Sequence, residues 1–304
     1  MTRSGRPTAV AAALASVALI FSAAPAANAQ SVMPISPPGL PQLENAPLPV
    51  PGVPSLPVLT YPVIGPERPV PEYGNVNVFP LPNAVVGIAQ PIMFHFDRPI
   101  TDRARAEATI GIRTEPHVPG KFYWVSDTEV RWRPFHFWPA HSTVTIWAGG
   151  KTQQSFQTRD AVISTYDNAT HTFTTTRNGQ VVRTMRASAG RPGWDTYNGI
   201  YYTGERGRQV RMNSETFGLR IEDGGYNTIV NDAVRLSYDG IFVHSAPWSV
   251  ADQGVRNVSH GCINLSPEDA RWFYDNTRNG DPVIVVNGPG RHFGAFDGQG
   301  DWNY

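Results

Sequence analysis

Short β-type runs separated by turn signals recur along most of this chain of 304 residues, and they restrict it to a mainly β fold. In the stretch 76–157, runs such as 92–96 are bounded by proline, glycine or polar turn residues. Several such runs within roughly 80 residues predict a small β-sandwich. The tryptophans of this stretch are interpreted as core residues, with a sugar-binding face as the alternative: Trp124, Trp132 and Trp147.

The stretch 158–290 is again mostly strands, and it contains one convincing helix. The pair Asn178-Gly179 stands between two alternating runs and predicts a β-hairpin. Ser266, followed by a proline and two acidic residues, predicts a helix start. We expect this helix to end at Gly280.

The amino terminus has the pattern of a secretory signal peptide. Arg3 and Arg6 precede an apolar run over 9–24, and small residues follow at 27–29. The run is shorter than the roughly 20 residues that a membrane-spanning helix needs. We therefore expect a signal peptide over 1–29 and an exported protein.

The rest of the chain shows neither a second spanning segment nor a charge imbalance. Proline recurs through the segment 30–75, which favours an extended polyproline II linker. Later apolar runs are strand-sized, so we expect no integral membrane segment in the mature chain. Lys+Arg and Asp+Glu both number 25, which argues against nucleic acid as a partner.

Cys262 is the only cysteine of this exported chain, so it cannot form an internal disulfide. It is either a small buried apolar residue or a reactive thiol, and a reactive thiol needs a neighbouring base or cation. His244 and His260 are the candidates. Spacing favours His244, which ends an apolar strand. A zinc site formed by these three residues is a weaker alternative.

The residues beside the thiol and the histidine suggest how a reaction is supported. Gly261 permits an unusual turn, so the amides of Gly261 and Cys262 are candidate oxyanion donors. His244 also needs an acceptor to orient its ring, and the candidates are the Ser245 carbonyl and the Asp252 carboxylate.

The segments Val243–Trp248 and Ser259–Asn264 closely resemble the active-site signature of the L,D-transpeptidases. The resemblance extends to the actinobacterial branch of that family. It implies an immunoglobulin-like domain over 76–157, a YkuD-type catalytic domain over 158–290, and a tail over 291–304 packed on the catalytic domain.

The same resemblance implies roles for individual residues. Cys262 would be the nucleophile, His244 the general base and acid, and the Ser245 carbonyl the group that orients the imidazole. The amides of His260, Gly261 and Cys262 would form the oxyanion hole, and the stretch 212–226 would be a lid. The expected substrate contacts are Met212, Tyr226, Asp239, Gly240, Trp248, Ser259 and Asn264.

The implied activity is L,D-transpeptidation of peptidoglycan stem peptides, which implies a periplasmic or cell-wall-associated protein. A thioester on Cys262 would form with release of D-alanine, and a second stem would resolve it as a 3-3 cross-link. No metal or organic cofactor is implied, and carbapenems would acylate the same thiol. Two rivals remain: another exported cysteine acyltransferase or peptidase of the wall, such as a sortase, and a non-catalytic wall-binding protein.

Overall fold

The computed structural model describes residues 74–148, 152–297 and 299–304, which form two β-rich domains. The predicted signal peptide over 1–29 and nearly all of the predicted linker over 30–75 lie outside the described residues. Among the residues described, no helix combines the length and the apolar character needed to cross a membrane.

The first domain is a sandwich of two four-stranded sheets. Buried residues from both sheets form its core, including Phe94, Ile146 and Phe156. The predicted sandwich is thus confirmed. Its strands are β1 Val76–Phe79, β2 Val85–Val86, β3 Ile92–Phe96, β4 Gly111–Glu115, β5 Gly120–Trp124, β6 Glu129–Pro134, β7 Thr143–Ala148 and β8 Thr152–Thr158. Their orders in the two sheets are β1-β3-β6-β5 and β2-β8-β7-β4.

Among the described residues, the second domain contains nine strands in two sheets and one α-helix, α2, over Pro267–Asn276, besides short 3₁₀ helices. The strands are β9 Val162–Asp167, β10 Thr172–Arg177, β11 Gln180–Arg186, β12 Gly199–Tyr202, β13 Arg206–Asn213, β14 Asn227–Arg235, β15 Phe242–Ser245, β16 Ile263–Leu265 and β17 Pro282–Val286. Their orders are β11-β10-β9-β17-β12 and β13-β14-β15-β16. The predicted hairpin is confirmed: Asn178 and Gly179 have φ of 50° and 80° between β10 and β11, as a type I′ turn requires.

Helix α2 starts where the sequence predicts and ends earlier than expected. The Ser266 hydroxyl accepts a hydrogen bond from the amide of Asp269 at 3.1 Å, so Ser266 is the N-cap. The predicted end at Gly280 is wrong, because Thr277 leaves the helical conformation and donates its hydroxyl to the Phe273 carbonyl at 2.7 Å. Ala270 and Phe273 are fully buried on the face toward the core.

The first domain also contains a short helix, α1, over Arg103–Ala108, which the sequence analysis did not predict. It spans six residues, too few to show a helical period in the apolar pattern. The Asp102 carboxylate caps it by accepting from the amide of Arg105 at 3.0 Å.

A buried carboxylate, Asp301, joins the C-terminal tail to both domains. Its side chain is 0% exposed. It receives two hydrogen bonds from the Arg131 guanidinium, at 2.9 and 3.0 Å, and one from the Tyr202 hydroxyl at 2.7 Å. Tyr123 of the first domain donates a further hydrogen bond to it. The tail therefore connects strands β5 and β6 of the first domain to β12 of the second.

Asp301→Ala should lower the free energy of unfolding by about 3–5 kcal/mol, because it leaves the buried Arg131 charge without its main partner. Urea unfolding followed by tryptophan fluorescence measures this change. The matched control is Asp127→Ala, which breaks the exposed Arg103–Asp127 pair and should change the unfolding midpoint little. Equal effects of the two substitutions would contradict the role given to Asp301.

Candidate active site

The parallel pairing of β15 with β16 brings the predicted base and thiol to one face of a sheet. In this register Val243 lies beside Ile263, and His244 lies beside Asn264. Cys262 immediately precedes β16. Because side chains alternate along a strand and paired residues point to the same side, His244, Asn264 and Cys262 share one face.

This face opens into a cleft with a volume of about 500 Å³. Eight of the predicted site residues line it, whereas Ser245, Asp239, Gly240 and Gly261 do not. The lining residues are Met212, Tyr226, Thr228, Val230, His244, Trp248, Ser249, Asp252, Val258, Ser259, His260, Cys262 and Asn264.

The Cys262 thiol is buried, with 6% of the residue exposed. Its Sγ donates to the carbonyl of Gly240 at 3.6 Å. Burial raises the pKa of Cys262 to about 11, because a thiolate loses hydration there. The resting thiol is therefore protonated at neutral pH.

The His244 imidazole is also buried and is held by the next residue along the chain. Its Nδ1 lies 2.9 Å from the Ser245 carbonyl oxygen. A carbonyl accepts only, so Nδ1 carries the proton and Nε2 keeps a free lone pair. Burial lowers the pKa of His244 to about 4. The alternative acceptor, Asp252, pairs with Arg256 at 2.6 Å instead.

Two hydroxyl groups hold the turn that presents the thiol. The Ser259 hydroxyl donates to the Cys262 carbonyl at 2.6 Å and accepts from the Gly261 amide at 3.0 Å. The Thr196 hydroxyl donates to the Gly261 carbonyl at 2.7 Å. Gly261 has φ of 119°, a conformation that favours glycine. Of the three predicted oxyanion amides, that of Gly261 is thus already bound to Ser259.

His260 contacts the predicted lid, the stretch 212–226. Its Nε2 lies 3.2 Å from the Gly224 carbonyl, and its ring is 5.2 Å from the rings of Tyr226 and Trp194. Trp194 also packs against Phe217 of the lid, at 6.1 Å between ring centroids. The sequence analysis missed Trp194, because nothing in its local pattern indicates contact with residues so far along the chain.

The remaining predicted residues occupy different parts of the site. Trp248 is 60% exposed at the rim, with its ring 6.0 Å from that of His244. The Asn264 amide nitrogen donates to Ser249 at 3.1 Å, and Asn264 Oδ1 is buried with no hydrogen-bond partner among the described residues. Asp239 faces the tail, where its backbone amide donates to the Asp297 carboxylate at 3.2 Å.

The described part of the chain contains no group of three or more histidine, cysteine or acidic side chains arranged to hold a metal ion.

Comparisons with known proteins agree with this architecture. Residues 71–153 match the family model of a bacterial Ig domain, and residues 161–285 match that of an L,D-transpeptidase catalytic domain. The chain thus combines a bacterial Ig domain with an L,D-transpeptidase catalytic domain. L,D-transpeptidase 2 of Mycobacterium tuberculosis is 43% identical over 240 residues, which are 74% of this chain and 59% of that relative. The chain therefore spans less than two thirds of that relative's length.

Two solved structures are similar over most of their own length. A structure of an L,D-transpeptidase in complex with imipenem has a TM-score of 0.67 and 43% identity, covering 70% of this chain and 99% of the other. L,D-transpeptidase 3 from M. tuberculosis, in complex with a faropenem-derived adduct, has a TM-score of 0.64 and 39% identity, covering 71% of this chain and all of the other, 100%. This chain belongs to the L,D-transpeptidase family, and the predicted family and fold class are confirmed.

The pH dependence of alkylation by iodoacetamide should show that the Cys262 thiol ionises only at high pH. Because Cys262 is the only cysteine, the alkylation rate reports on it alone. In the folded protein we expect the rate to keep rising toward the pKa of Cys262, about 11. In urea the rate should level off above the ordinary thiol pKa of about 8.5. A plateau below that value in the folded protein would contradict a buried, protonated resting thiol.

Proposed function

We propose that this protein is a peptidoglycan L,D-transpeptidase that forms 3-3 cross-links, with Cys262 as its nucleophile. The observation that carries the proposal is a buried neutral thiol and a buried neutral imidazole on one face of the catalytic domain, lining one cleft. Family membership supports the reaction type, and the structures with imipenem and with a faropenem-derived adduct support sensitivity to carbapenems and related β-lactams.

In the acylation step, Cys262 attacks the carbonyl that follows an L-configured centre of the donor stem. The thiol proton moves to His244 Nε2 as the carbon–sulfur bond forms, and the carbonyl oxygen becomes an oxyanion. Backbone amides of the Ser259–Cys262 turn stabilise that charge. The carbon–nitrogen bond then breaks, and His244 returns the proton to the departing amine of D-alanine. The product is a thioester on Cys262.

In the second step, the amine of another stem attacks the thioester. Its proton passes through His244 to the sulfur as the carbon–sulfur bond breaks, which restores the resting thiol and imidazole. The Ser245 carbonyl stabilises the transient imidazolium through Nδ1. No net charge is left in the buried site at the end of either step.

The cell wall also fixes where such an enzyme works. Its substrate lies outside the cytoplasmic membrane, and the pattern of Arg3, Arg6 and the apolar run over 9–24 is that of a secretory signal. We therefore propose that the protein is exported and acts in the periplasm or in contact with the wall.

Cys262→Ala should abolish cross-linking of a purified tetrapeptide donor, because no other side chain of this chain is a thiol. Mass spectrometry of the products measures both the cross-linked dimer and free D-alanine. Incubation of the wild-type protein with imipenem should add the mass of one inhibitor molecule, and the alanine variant should stay unmodified.

Each rival predicts a different product. A cysteine peptidase of the wall would yield hydrolysed tripeptide stems without dimers, and a wall-binding protein would yield neither while Cys262→Ala still bound peptidoglycan. Dimer formation that survives Cys262→Ala would refute the thiol mechanism.

His244→Gln should slow imipenem acylation by a factor of about 10²–10⁴, the usual contribution of a positioned general base. The rate is measured by stopped-flow or by timed intact-mass analysis. His117→Gln, at an exposed position of the first domain, is the matched control and should acylate at the wild-type rate. An unchanged acylation rate in His244→Gln would show that another group acts as the base.

A further inference from the structure

Thr196 is a buried residue in the loop before β12, outside the two signature segments. It is 5% exposed. Its hydroxyl makes two hydrogen bonds in opposite senses: it donates to the Gly261 carbonyl at 2.7 Å and accepts from the Gly190 amide at 3.0 Å. The Gly190 amide thus fixes the orientation of the Thr196 hydroxyl, whose proton points at the Gly261 carbonyl oxygen.

The bond to Gly261 also sets the direction of the Cys262 amide. In a trans peptide the carbonyl and the following N–H belong to one plane and point in opposite directions. With the Gly261 carbonyl held on Thr196, the N–H of Cys262 points away from Thr196. A glycine peptide reorients more easily than others because no Cβ restricts it. Gly261 has φ of 119°, so the hydrogen bond from Thr196 keeps this peptide in one specific conformation.

The neighbouring amide, that of Gly261, already has an acceptor and is not available to an oxyanion. The Gly261 N–H is bound to the Ser259 hydroxyl at 3.0 Å. The Cys262 N–H, in contrast, has no hydrogen-bond acceptor among the described residues, and it belongs to the residue whose sulfur attacks. When the Cys262 sulfur attacks a carbonyl carbon, the oxyanion that forms lies within hydrogen-bonding reach of the Cys262 amide.

We propose that Thr196 is a positioning residue that holds the Cys262 amide as the principal oxyanion donor. The inference rests on the proposed function, since it needs carbonyl attack by Cys262. Thr196 does not touch the substrate in this account. It acts through the Gly261 peptide, and its hydroxyl is needed both as donor and as acceptor.

The test compares two reactions of the same thiol. Imipenem acylation passes through a tetrahedral oxyanion: the carbon–sulfur bond forms, the β-lactam carbon–nitrogen bond breaks, and the proton goes from sulfur to that nitrogen. Iodoacetamide alkylation displaces iodide at a saturated carbon and forms no oxyanion. A change in the oxyanion donor therefore slows only the first reaction.

Thr196→Val keeps the shape of the side chain and removes the hydroxyl. We expect it to lower the first-order acylation rate constant by about 10²–10³, the usual effect of losing one oxyanion donor. The imipenem concentration at half-saturation and the alkylation rate should stay at wild-type values. Thr196→Ser should restore most of the acylation rate, because serine offers the same donor and acceptor. Thr170→Val, at an exposed position, is the matched control, and Thr196→Ala replaces the valine variant if that variant does not fold.

The outcomes separate the inference from the proposed function. Wild-type acylation in Thr196→Val overturns the positioning role, and so does an equal fall of acylation and alkylation, which indicates a general structural effect. Failure of Thr196→Ser to recover overturns it as well. A wild-type protein that reacts with iodoacetamide but not with imipenem overturns the proposed function itself, and the role of Thr196 with it.

Discussion

The parallel pairing of β15 with β16 is the contact on which the active site depends. It sets His244 beside Asn264, and it puts Cys262 on the same face one residue before the strand. The period of a strand is two residues, so a shift of register by one would turn the thiol to the opposite face. Asn264 also exchanges backbone hydrogen bonds with Ser188, at 2.7 and 3.1 Å. Helix α2 packs on the opposite face of these strands, so β15, Ser188 and α2 all constrain the position of β16.

Burial of the reactive pair decides its charge state. The two pKa values, about 11 for Cys262 and about 4 for His244, describe a site that is neutral until a substrate arrives. In the proposed mechanism the proton moves only as the new bond forms, and polar groups then stabilise the charges that develop. The Ser245 carbonyl faces the imidazolium, and the Cys262 amide faces the oxyanion. Such preoriented dipoles need little reorganisation during the reaction.

The second buried polar group of consequence lies away from the cleft. Asp301 binds Arg131 and Tyr123 of the first domain together with Tyr202 of the second. Next to it, Trp302 donates its indole N–H to the Ala89 carbonyl at 2.8 Å. A charged pair without exposure to water is stable only when its geometry is satisfied on every side. The tail thus couples the immunoglobulin-like domain to the sheet that contains β12.

The sequence by itself determined the features that depend on neighbouring residues: the alternation of the strands, the Asn178-Gly179 hairpin, the N-cap of α2 and the motif around Cys262. Only the tertiary structure decided the contacts of Thr196 and Asp301. Thr196 meets a carbonyl 65 positions away, and Asp301 meets Arg131 across 170. Turns and caps form from hydrogen bonds within a few residues. Contacts between residues so far apart in the chain depend on which sheets pack together, and no local sequence pattern indicates that.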